Sequence, residues 1–397
     1  MRVLLDCRMA SWTGVGRYTV GLARALAARD DIELVQVAAA NERPPVAGHQ
    51  GARSVTAANH PFTLRGAREF GRIAATVDAD VVHCAHFPTP RPISHPLVVT
   101  MHDVTPLNFP DVMPSLPKRL VYRYLNGRAA KHADRIITPS EFTAADVVRI
   151  FPAAAGKTRV TPEAADDFAS GPPGLLDEAL AEVADWPYVL SMGSTRASKD
   201  LPTLLRAFAI IARTDLMLRL LLVGDDQRAF VDDTLSDVPA SIRDRVVFTG
   251  RLNDPALRTV MAGARVFAFP SRYEGFGLPP LEAMSLGTPV VVADATSLPE
   301  VVGDAALRFA PGDVTGCAEA VGSVLRDPGL GARLAEAGLV RAAAFSWVRT
   351  ADLTVAVYRE ALIGDEGHPG RDDADVDAGA ADAVDPRAAD GDLSPER

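Results

Sequence analysis

The sequence contains no run of about 18 consecutive apolar residues, which is the length that a helix needs to cross a lipid bilayer. Its first apolar run, at residues 3–5, is also too short for the hydrophobic part of a signal peptide. We therefore expect no membrane-spanning segment and no secretory signal.

Cysteine is scarce, with three residues in a chain of 397. Cys7, Cys84 and Cys317 are an odd number, lie far apart and lack the spacing of a zinc site. They therefore indicate neither a disulfide framework nor a metal centre, and we expect reduced thiols in a cytoplasmic protein.

Most of the chain has no marked excess of charge. The formal net charge is −10, but residues 365–397 hold 11 acidic side chains and three arginines, which leaves −2 for the rest. We expect no nucleic-acid partner. Because the same segment has almost no large apolar side chain, we predict a disordered acidic tail at residues 364–397.

The tail contains alternating aspartates, Asp373, Asp375 and Asp377, which superficially resemble a metal-binding motif. Ala378 and Val384 stand where a calcium loop needs glycine and glutamate, so this alternation does not predict a calcium site.

Short apolar runs alternate with amphipathic stretches along the chain, which is typical of doubly wound parallel sheets. The apolar runs predict strands at residues 3–5, 32–38, 80–84, 97–102, 135–139, 158–162, 188–192, 218–223, 246–249, 266–269 and 290–292. The amphipathic stretches predict helices at residues 19–28, 118–132, 200–212, 255–261, 279–286, 314–325, 331–344 and 347–362.

The alternation stops at residues 169–187, which carry no strand pattern and include the string GPPG. We therefore predict a Rossmann-like domain at residues 1–168, a linker at 169–187 and a second Rossmann-like domain at 188–345. A last helix is expected at residues 346–363.

Residues 265–293 predict one βαβ unit, with a buried strand, a loop containing Gly275 and Gly277, a helix opened by two prolines and a second buried strand. Glu274 lies on the loop at the carboxyl end of the first strand, and Glu282 follows after seven residues, in the expected first turn of the helix. Ligands of open α/β sheets bind outside the carboxyl ends of strands, so both acids should face one crevice. For Glu282 alone, complementing the helix dipole is an equally good explanation.

The string EGFGLP at residues 274–279, within a Glu, seven residues, Glu pattern, closely resembles the signature of retaining glycosyltransferases of family four. The resemblance extends over residues 1 to about 363. It implies the GT-B fold, with two Rossmann-like domains facing a cleft, the first (residues 1–168) on the acceptor side and the second (residues 188–345) binding the nucleotide sugar, and a C-terminal helix that crosses back to the N-terminal domain. It also implies that Glu282 binds the donor ribose and Glu274 the transferred sugar, with backbone N–H groups of residues 275–278, Gly275, Phe276, Gly277 and Leu278, as further donor contacts.

The string GVGRYT at residues 14–19 follows the first predicted strand and precedes a helix. It is a weak dinucleotide fingerprint, because Thr19 replaces the third small residue and the loop from Asp6 is long. It resembles the glycine loop of the same family, which implies that Gly14 and Gly16 bring backbone N–H groups to the donor. The string HDVTPL at residues 102–107 resembles the family's strand-end histidine motif and implies that His102 faces the transferred sugar.

Transfer from a nucleotide sugar requires stabilisation of the departing diphosphate, by a metal or by fixed cations and helix N-termini. The sequence offers the second solution: Lys199 matches the family's lysine, and Arg196 replaces its usual arginine neighbour from three residues upstream. Arg251 and Leu252 stand where the family contacts the base. We therefore expect no metal and no cofactor besides the nucleotide-sugar substrate.

Residues 118–132 form a basic stretch with interleaved aromatic side chains and no acidic residue. This pattern fits a peripheral contact with anionic lipid at the inner face of the membrane, and it equally fits an ordinary solvated helix face.

The resemblance implies a hexosyltransferase that acts with retention on a sugar or lipid-linked sugar acceptor. The glycine-loop and histidine strings favour mannose, by likeness to bacterial mannosyltransferases of polysaccharide or glycolipid assembly. The alternatives are a GT-B phosphorylase, which uses phosphate in place of the acceptor, a GT-B nucleotide-sugar epimerase, which no motif favours, and a non-catalytic sugar-nucleotide-binding protein.

Overall fold

The computed structural model describes residues 1–365. Within this range the chain divides into a first unit, residues 1–163 together with the last helix, and a second unit, residues 164–346. Residues 364 and 365 belong to the last helix, so the predicted start of the disordered tail at residue 364 is wrong by two residues. The rest of the predicted tail, with Asp373, Asp375 and Asp377, lies outside the described range.

The helices and strands alternate through both units. Those of residues 1–163 are β1 (Arg2–Asp6), α1 (Thr13–Ala27), β2 (Glu33–Ala39), β3 (Ala52–Ala57), α2 (Leu64–Val77), β4 (Val81–Cys84), β5 (Leu97–Thr100), α3 (Thr105–Asn108), α4 (Leu116–His132), β6 (Arg135–Thr138), α5 (Glu141–Ile150) and β7 (Thr158–Val160). Those of residues 164–346 are α6 (Asp166–Ala169), α7 (Glu178–Ala184), β8 (Tyr188–Met192), α8 (Leu201–Ile211), β9 (Arg219–Val223), α9 (Arg228–Thr234), α10 (Ala240–Arg243), β10 (Val246–Phe248), α11 (Asp254–Gly263), β11 (Val266–Phe269), α12 (Leu278–Ser285), β12 (Val290–Ala293), α13 (Leu298–Val302), β13 (Leu307–Phe309), α14 (Val314–Arg326) and α15 (Pro328–Ala342). The last described helix is α16 (Trp347–Asp365), and short 3₁₀ turns lie at Pro110–Val112, Pro152–Ala154 and Ala197–Lys199.

The first unit contains a seven-stranded sheet in the order β3-β2-β1-β4-β5-β6-β7, in which every paired strand is parallel. Strand order reverses where β1 pairs with β4, with Leu5 opposite His83. Strands β4 and β5 are buried at every position, as expected of parallel strands covered on both faces. The reversal point is where open α/β sheets bind ligands.

The second unit contains a six-stranded parallel sheet in the order β10-β9-β8-β11-β12-β13. Order reverses between β8 and β11, where Phe267 lies opposite Leu190. Alternate side chains of β11 enter two separate apolar clusters, Val266 in one and Phe269 in the other. Both faces of the sheet are therefore covered, and the predicted α/β architecture of two parallel sheets is confirmed.

Two edge strands, β3 and β13, were not predicted. β3 has the sequence ARSVTA, in which three of six residues are polar, and it exposes Arg53 and Ser54, so it lacks the apolar run that marks a central parallel strand. β13 has three residues, too few for a recognisable pattern.

The predicted linker, residues 169–187, is part of the second unit and includes α7. The Gly174 N–H donates to the Pro255 carbonyl at 2.8 Å, and Arg258 Nε donates to the Pro172 carbonyl at 2.8 Å. The segment of glycines and prolines there is irregular and is held against α11, so the boundary at residues 163 and 164 precedes the predicted one.

Helix α16 packs in the first unit against α1, β4, β5 and β6. Trp347 lies so close to Gly21 that a Cβ at Gly21 would be 2.1 Å from the indole. The return of the C-terminal helix to the N-terminal unit, as the GT-B fold requires, is therefore confirmed.

A buried hydrogen bond also fastens α16 to the sheet. The Tyr358 hydroxyl lies 2.7 Å from His83 Nδ1, and His83 Nε2 lies 2.8 Å from Thr100 Oγ1. Burial, followed by the charge of His102, lowers the pKa of His83 to about 3. The ring is therefore neutral and shares one donor and one acceptor between its two partners.

Tyr358→Phe should destabilise the first unit by about 1–3 kcal/mol, because it leaves a buried ring nitrogen of His83 without a partner. Urea or thermal unfolding measures the change. Tyr124→Phe is the matched control, because the Tyr124 hydroxyl is on an exposed side chain and should change stability by less than about 0.5 kcal/mol. Equal stability of both variants would contradict the assigned bond.

Candidate active site

Two residues predicted to bind the donor lie against each other at the reversal point of the second sheet. Lys199 follows β8, Glu274 follows β11, and Lys199 Nζ lies 2.7 Å from Glu274 Oε1. The side chains retain 29% and 14% of their exposure, so the pair is mostly withdrawn from solvent. An ammonium has three donors, which leaves two for a ligand.

The loop that carries Glu274 is held to the Lys199 loop by backbone contacts. The Ser198 carbonyl accepts the N–H groups of Arg272 at 2.8 Å and Tyr273 at 3.3 Å. Ser198 is buried. The separation of Lys199 and Glu274 is therefore set by the backbone as well as by their attraction.

Two residues absent from the sequence prediction fix the Glu274 backbone from the other side. Thr296 Oγ1 accepts the Glu274 N–H at 3.0 Å, and Ser297 Oγ donates to the Glu274 carbonyl at 3.0 Å. Thr296 has a φ of +50°, which is costly for a β-branched residue. Sequence contains no recognised signal for this conformation, which aims the threonine hydroxyl at the loop.

The glycine-rich segment between Glu274 and α12 has its large side chains turned into the core, so it can offer a ligand mainly backbone groups. The side chains of Phe276 and Leu278 are buried in the core of the second unit. Gly277 is the N-cap of α12 with a φ of +108°, and a Cβ there would lie 2.7 Å from Leu298. Pro279 has no N–H, and neither does the proline after it, so fewer donors face a ligand than at most helix N-termini.

Glu282 is buried, with 3% exposure, on α12. It lies one residue beyond the first turn, which contains no acid, so the expectation of a first-turn position is wrong. Its helix-dipole explanation weakens accordingly. A carboxylate so buried requires polar partners.

The remaining predicted donor residues of the second unit lie around the ends of β8, β9 and β10. Arg196 is partly buried just before the Ala197–Lys199 turn. Arg251 forms an exposed ion pair with Asp225, Nε to Oδ1 at 3.1 Å, beside a bridge between Gly224 and Gly250. The Leu252 side chain packs on the core of the unit.

Gly14 and Gly16 lie inside α1, which begins at Thr13, so the expectation of a loop ending at Thr19 is wrong. A Cβ on Gly16 would approach the Ala10 carbonyl oxygen to 2.4 Å, which explains that glycine by packing. A Cβ on Gly14 would meet nothing within 4 Å. No side chain caps α1, so its first N–H groups keep their capacity to bind an anion.

His102, at the carboxyl end of β5, uses both ring nitrogens within the first unit. Nδ1 lies 3.0 Å from Glu163 Oε1, and Nε2 lies 2.9 Å from the Ala85 carbonyl oxygen. Burial lowers its pKa, but the hydrogen bond and charge of Glu163 and the bond to Ala85 outweigh burial, and the net pKa is raised. The Glu163 carboxylate and the Ala85 carbonyl can each accept an N–H, so together they favour the ring with both nitrogens protonated. In this arrangement no ring nitrogen remains for a sugar.

A second unpredicted feature is a buried ion pair at the end of β1. Arg8 donates to Asp6 through Nε at 2.8 Å and Nη2 at 2.6 Å, and its guanidinium lies 4.7 Å from the Phe70 ring centroid. Charged residues two positions apart are common, and nothing in the sequence marks this pair as buried.

Two absences are established for residues 1–365. No group of three or more histidine, cysteine, aspartate or glutamate side chains in this range is arranged to hold a metal ion. In the same range no helix combines the length and apolar character needed to span a bilayer.

Comparisons with known families match both units separately. Residues 12–167 match the model described as Glycosyltransferase Family 4, and residues 186–327 match the model described as Glycosyl transferases group 1. Together with the two parallel sheets and the returning helix, these matches define a glycosyltransferase of the GT-B fold. The chain belongs to glycosyltransferase family 4.

Two relatives illustrate the similarity. The chain is 29% identical to O-antigen chain mannosyltransferase B of Escherichia coli over 368 residues, which cover 87% of this chain and 96% of that protein. It is 30% identical to alpha-maltose-1-phosphate synthase of Mycobacterium tuberculosis over 288 residues, 67% of this chain and 73% of that protein.

Solved structures share the fold at lower identity. Sucrose-phosphate synthase from Thermosynechococcus elongatus matches with a TM-score of 0.73 and 22% identity, over 91% of this chain and 98% of that chain. Anabaena Alr3699/HepE, solved in complex with UDP and glucose, matches with a TM-score of 0.66 and 19% identity, over 90% of this chain and 99% of that chain.

Lys199→Ala should lower the rate of glycosyl transfer at saturating donor by about 10²–10³-fold, the usual loss when one preorganised donor to a developing anion is removed. Steady-state kinetics measure it. Arg206→Ala on α8 is the matched control, because Arg206 makes only a long, exposed pair with Asp237 at 3.9 Å among the described residues and should leave the rate unchanged. An unaltered rate for Lys199→Ala would remove the lysine from the mechanism.

Proposed function

We propose that this protein transfers a hexose, with mannose favoured, from a nucleotide-diphosphate sugar to a hydroxyl of a sugar or glycolipid, with retention of anomeric configuration. The observation that carries the proposal is the Lys199–Glu274 pair at the reversal point of the second sheet. It combines a cation for the leaving diphosphate with a carboxylate for sugar hydroxyls.

Lys199 has donors to spare for the diphosphate while one of them stays on Glu274. Arg196, three residues before Lys199 in the chain, is the second cation that we propose for the diphosphate. We propose that these fixed donors take the place of a metal at the leaving diphosphate. The unpaired oxygen of Glu274 accepts hydroxyls of the transferred sugar, and Glu282 accepts those of the ribose.

Mannose is favoured by the relatives. The E. coli relative, of which this chain covers 96%, is named O-antigen chain mannosyltransferase B. A relative from Mycolicibacterium hassiacum, 31% identical over 245 residues, is named MMP alpha-(1→4)-mannosyltransferase. HepE holds UDP and glucose, which at 19% identity supports a nucleoside diphosphate as the donor class without selecting its base.

The decisive experiment is a donor screen with GDP-mannose, UDP-glucose, UDP-N-acetylglucosamine and dTDP-rhamnose, using methyl α-D-mannoside as acceptor and excess EDTA in a parallel series. We expect transfer from GDP-mannose, an α-linked product by NMR, and the same rate in EDTA. A β-linked product would overturn retention, and EDTA loss restored by magnesium would overturn the metal-free proposal. Product formed only with inorganic phosphate would indicate a phosphorylase, and no turnover with any donor would indicate a binding protein.

A peripheral membrane contact through α4 is the second part of the proposal. Leu116, Leu120 and Tyr124, four residues apart and thus on one face of the helix, are 57%, 58% and 48% exposed. Arg123 is exposed beside them, and the helix has no acidic residue. Arg128 is buried and takes no part in this face. An apolar stripe flanked by cations fits an anionic bilayer surface.

Leu116→Ser combined with Leu120→Ser should reduce binding to vesicles of phosphatidylglycerol by at least tenfold, because each leucine contributes about 1.5–3 kcal/mol when fully buried. Vesicle flotation measures the bound fraction. Leu175→Ser combined with Val340→Ser is the matched control, because these exposed apolar residues lie elsewhere. Failure of the unaltered protein to float with anionic vesicles would overturn the membrane contact.

A further inference from the structure

The two ring nitrogens of His102 each face a hydrogen-bond acceptor. Nδ1 lies 3.0 Å from Glu163 Oε1, and Nε2 lies 2.9 Å from the Ala85 carbonyl oxygen. A neutral imidazole has one N–H and one lone pair, so it can donate to one of these acceptors and must turn its lone pair toward the other. An imidazolium donates to both. The geometry therefore favours the charged ring, and the opposite charge comes from Glu163.

The backbone on the amino-terminal side of Glu163 is fixed within the first unit. The Thr161 N–H donates to the Thr138 carbonyl at 2.9 Å, and the Pro162 carbonyl accepts the hydroxyl of Thr350, on α16, at 2.6 Å. The end of β6 and the last helix thus hold the segment that carries the carboxylate. The position of Glu163 is therefore set by the fold, before any contribution from its attraction to the ring.

Three other titratable side chains surround the His102 ring, and each of them is neutral. His83 on β4 and His86 after β4 have pKa values lowered by burial and then by the charge of His102. The Tyr18 ring of α1 meets the His102 ring edge-on, with centroids 4.8 Å apart, and burial raises the pKa of its phenol. The positive charge of this group of rings therefore belongs to His102.

Glu163 is the main influence that opposes burial at His102. Burial lowers the pKa of His102, whereas the hydrogen bond and the charge of Glu163 raise it. The bond to Ala85 and the charge of Asp103 add to the rise, so the net pKa is raised. The ring therefore keeps its second proton to a higher pH than a free histidine does, and loses it as the pH rises through the raised pKa.

We propose that Glu163 is a positioning residue, which holds His102 as an imidazolium and thereby keeps a proton on both ring nitrogens. The enzymatic meaning rests on the proposed function and on the contact with the transferred sugar that the family motif implies for His102. In that contact Nε2 exchanges the Ala85 carbonyl for a sugar hydroxyl, while Nδ1 keeps Glu163. A charged donor binds the hydroxyl more strongly than a neutral ring would.

The side chains of the pair fit this role. Glu163 retains 6% of its exposure and His102 retains 12%. The carboxylate is thus withdrawn from water, which strengthens its bond to the ring, whereas the ring keeps more contact with solvent. The proposal therefore assigns the contact with substrate to His102 and none to Glu163.

The first experiment measures the charge of the ring without turnover. Imidazole NMR across a pH series, with the His102 signal identified by its loss in His102→Asn, should show a ring that titrates above the ordinary value of about 6.5. Glu163→Gln keeps the shape and an acceptor oxygen but removes the charge, so the ring should titrate at lower pH. Glu33→Gln, which removes an equal charge from an exposed ion pair with Arg2, is the matched control and should leave the titration unchanged. Equal titrations in Glu163→Gln and the unaltered protein would overturn the proposal.

The second experiment tests whether the charge matters for transfer. With GDP-mannose, kcat/KM reports the ionisation of the free enzyme, so it should fall as the pH rises through the pKa of His102. In Glu163→Gln the fall should begin at lower pH, and kcat/KM at neutral pH should be about tenfold lower, as expected for a weakened hydrogen bond to a charged group. The value of kcat at saturating donor should change less, because the hydroxyl is already bound in the ground state.

A purely structural role for Glu163 gives a different result. It predicts a lower melting temperature for Glu163→Gln with the pH profile of kcat/KM unmoved, and that outcome would overturn the assignment even if the NMR titration moves. Glu163→Asp keeps the charge at a greater distance and should give intermediate titrations; if Glu163→Gln does not fold, an unaltered titration in Glu163→Asp overturns the proposal. Absence of turnover with any donor would contradict the proposed function, whereas the NMR titration would still decide on the charge of the ring.

Discussion

The attraction between Lys199 and Glu274 is the constraint on which the second unit's site depends. Neither residue could be held so far from solvent alone, because a partly buried charge needs a partner. Lys199 and Glu274 lie on the connections that follow β8 and β11, and these two strands are neighbours because strand order reverses between them. The Ser198 carbonyl and the hydroxyls of Thr296 and Ser297 then fix the loop around the pair. In a sheet whose strands followed sequence order, β9 and β10 would lie between β8 and β11.

Sequence predicted the parts of the molecule in which a local pattern and the fold agree. The central strands were predicted because they are apolar runs. The loop from Glu274 to Gly277 was predicted because of its glycines, and Gly277 has a positive φ that favours glycine. The edge strand β3 was missed because half of its residues are polar, and the segment containing Gly171 and Gly174 was taken for a linker because irregular segments packed on a domain share the glycine and proline content of linkers. The pairs Lys199–Glu274 and Tyr358–His83 join residues 75 and 275 positions apart, a relation that no local pattern contains.

The charge balance of the donor site changes once the Lys199–Glu274 pair is considered. A lysine already paired with a carboxylate adds almost no net positive charge, although two of its three donors remain for a ligand. Under the proposed function, Arg196 then carries a larger share of the diphosphate charge than the paired lysine does. The prolines at the start of α12 act in the same direction, because they remove two of that helix's donors. Under the proposed function the Lys199–Glu274 bond stays intact while the other donors of Lys199 bind phosphate and the other oxygen of Glu274 binds sugar hydroxyls, so one pair recognises both parts of the donor.

Three histidines near the carboxyl edge of the first sheet show how residue type alone fails to define a role. His83 is neutral and fastens α16 through Tyr358, whereas His102 is protonated more readily and is tied to Glu163, the last residue of the unit before the chain crosses to the second. The family motif marks His102, yet both of its nitrogens are engaged in the described structure. His86 has no motif, and its buried Nδ1 has no hydrogen-bonding partner among the described residues. His102 holds the end of β5 to Glu163 in this arrangement, and a contact with the transferred sugar would require one of its two ring nitrogens to exchange its present partner.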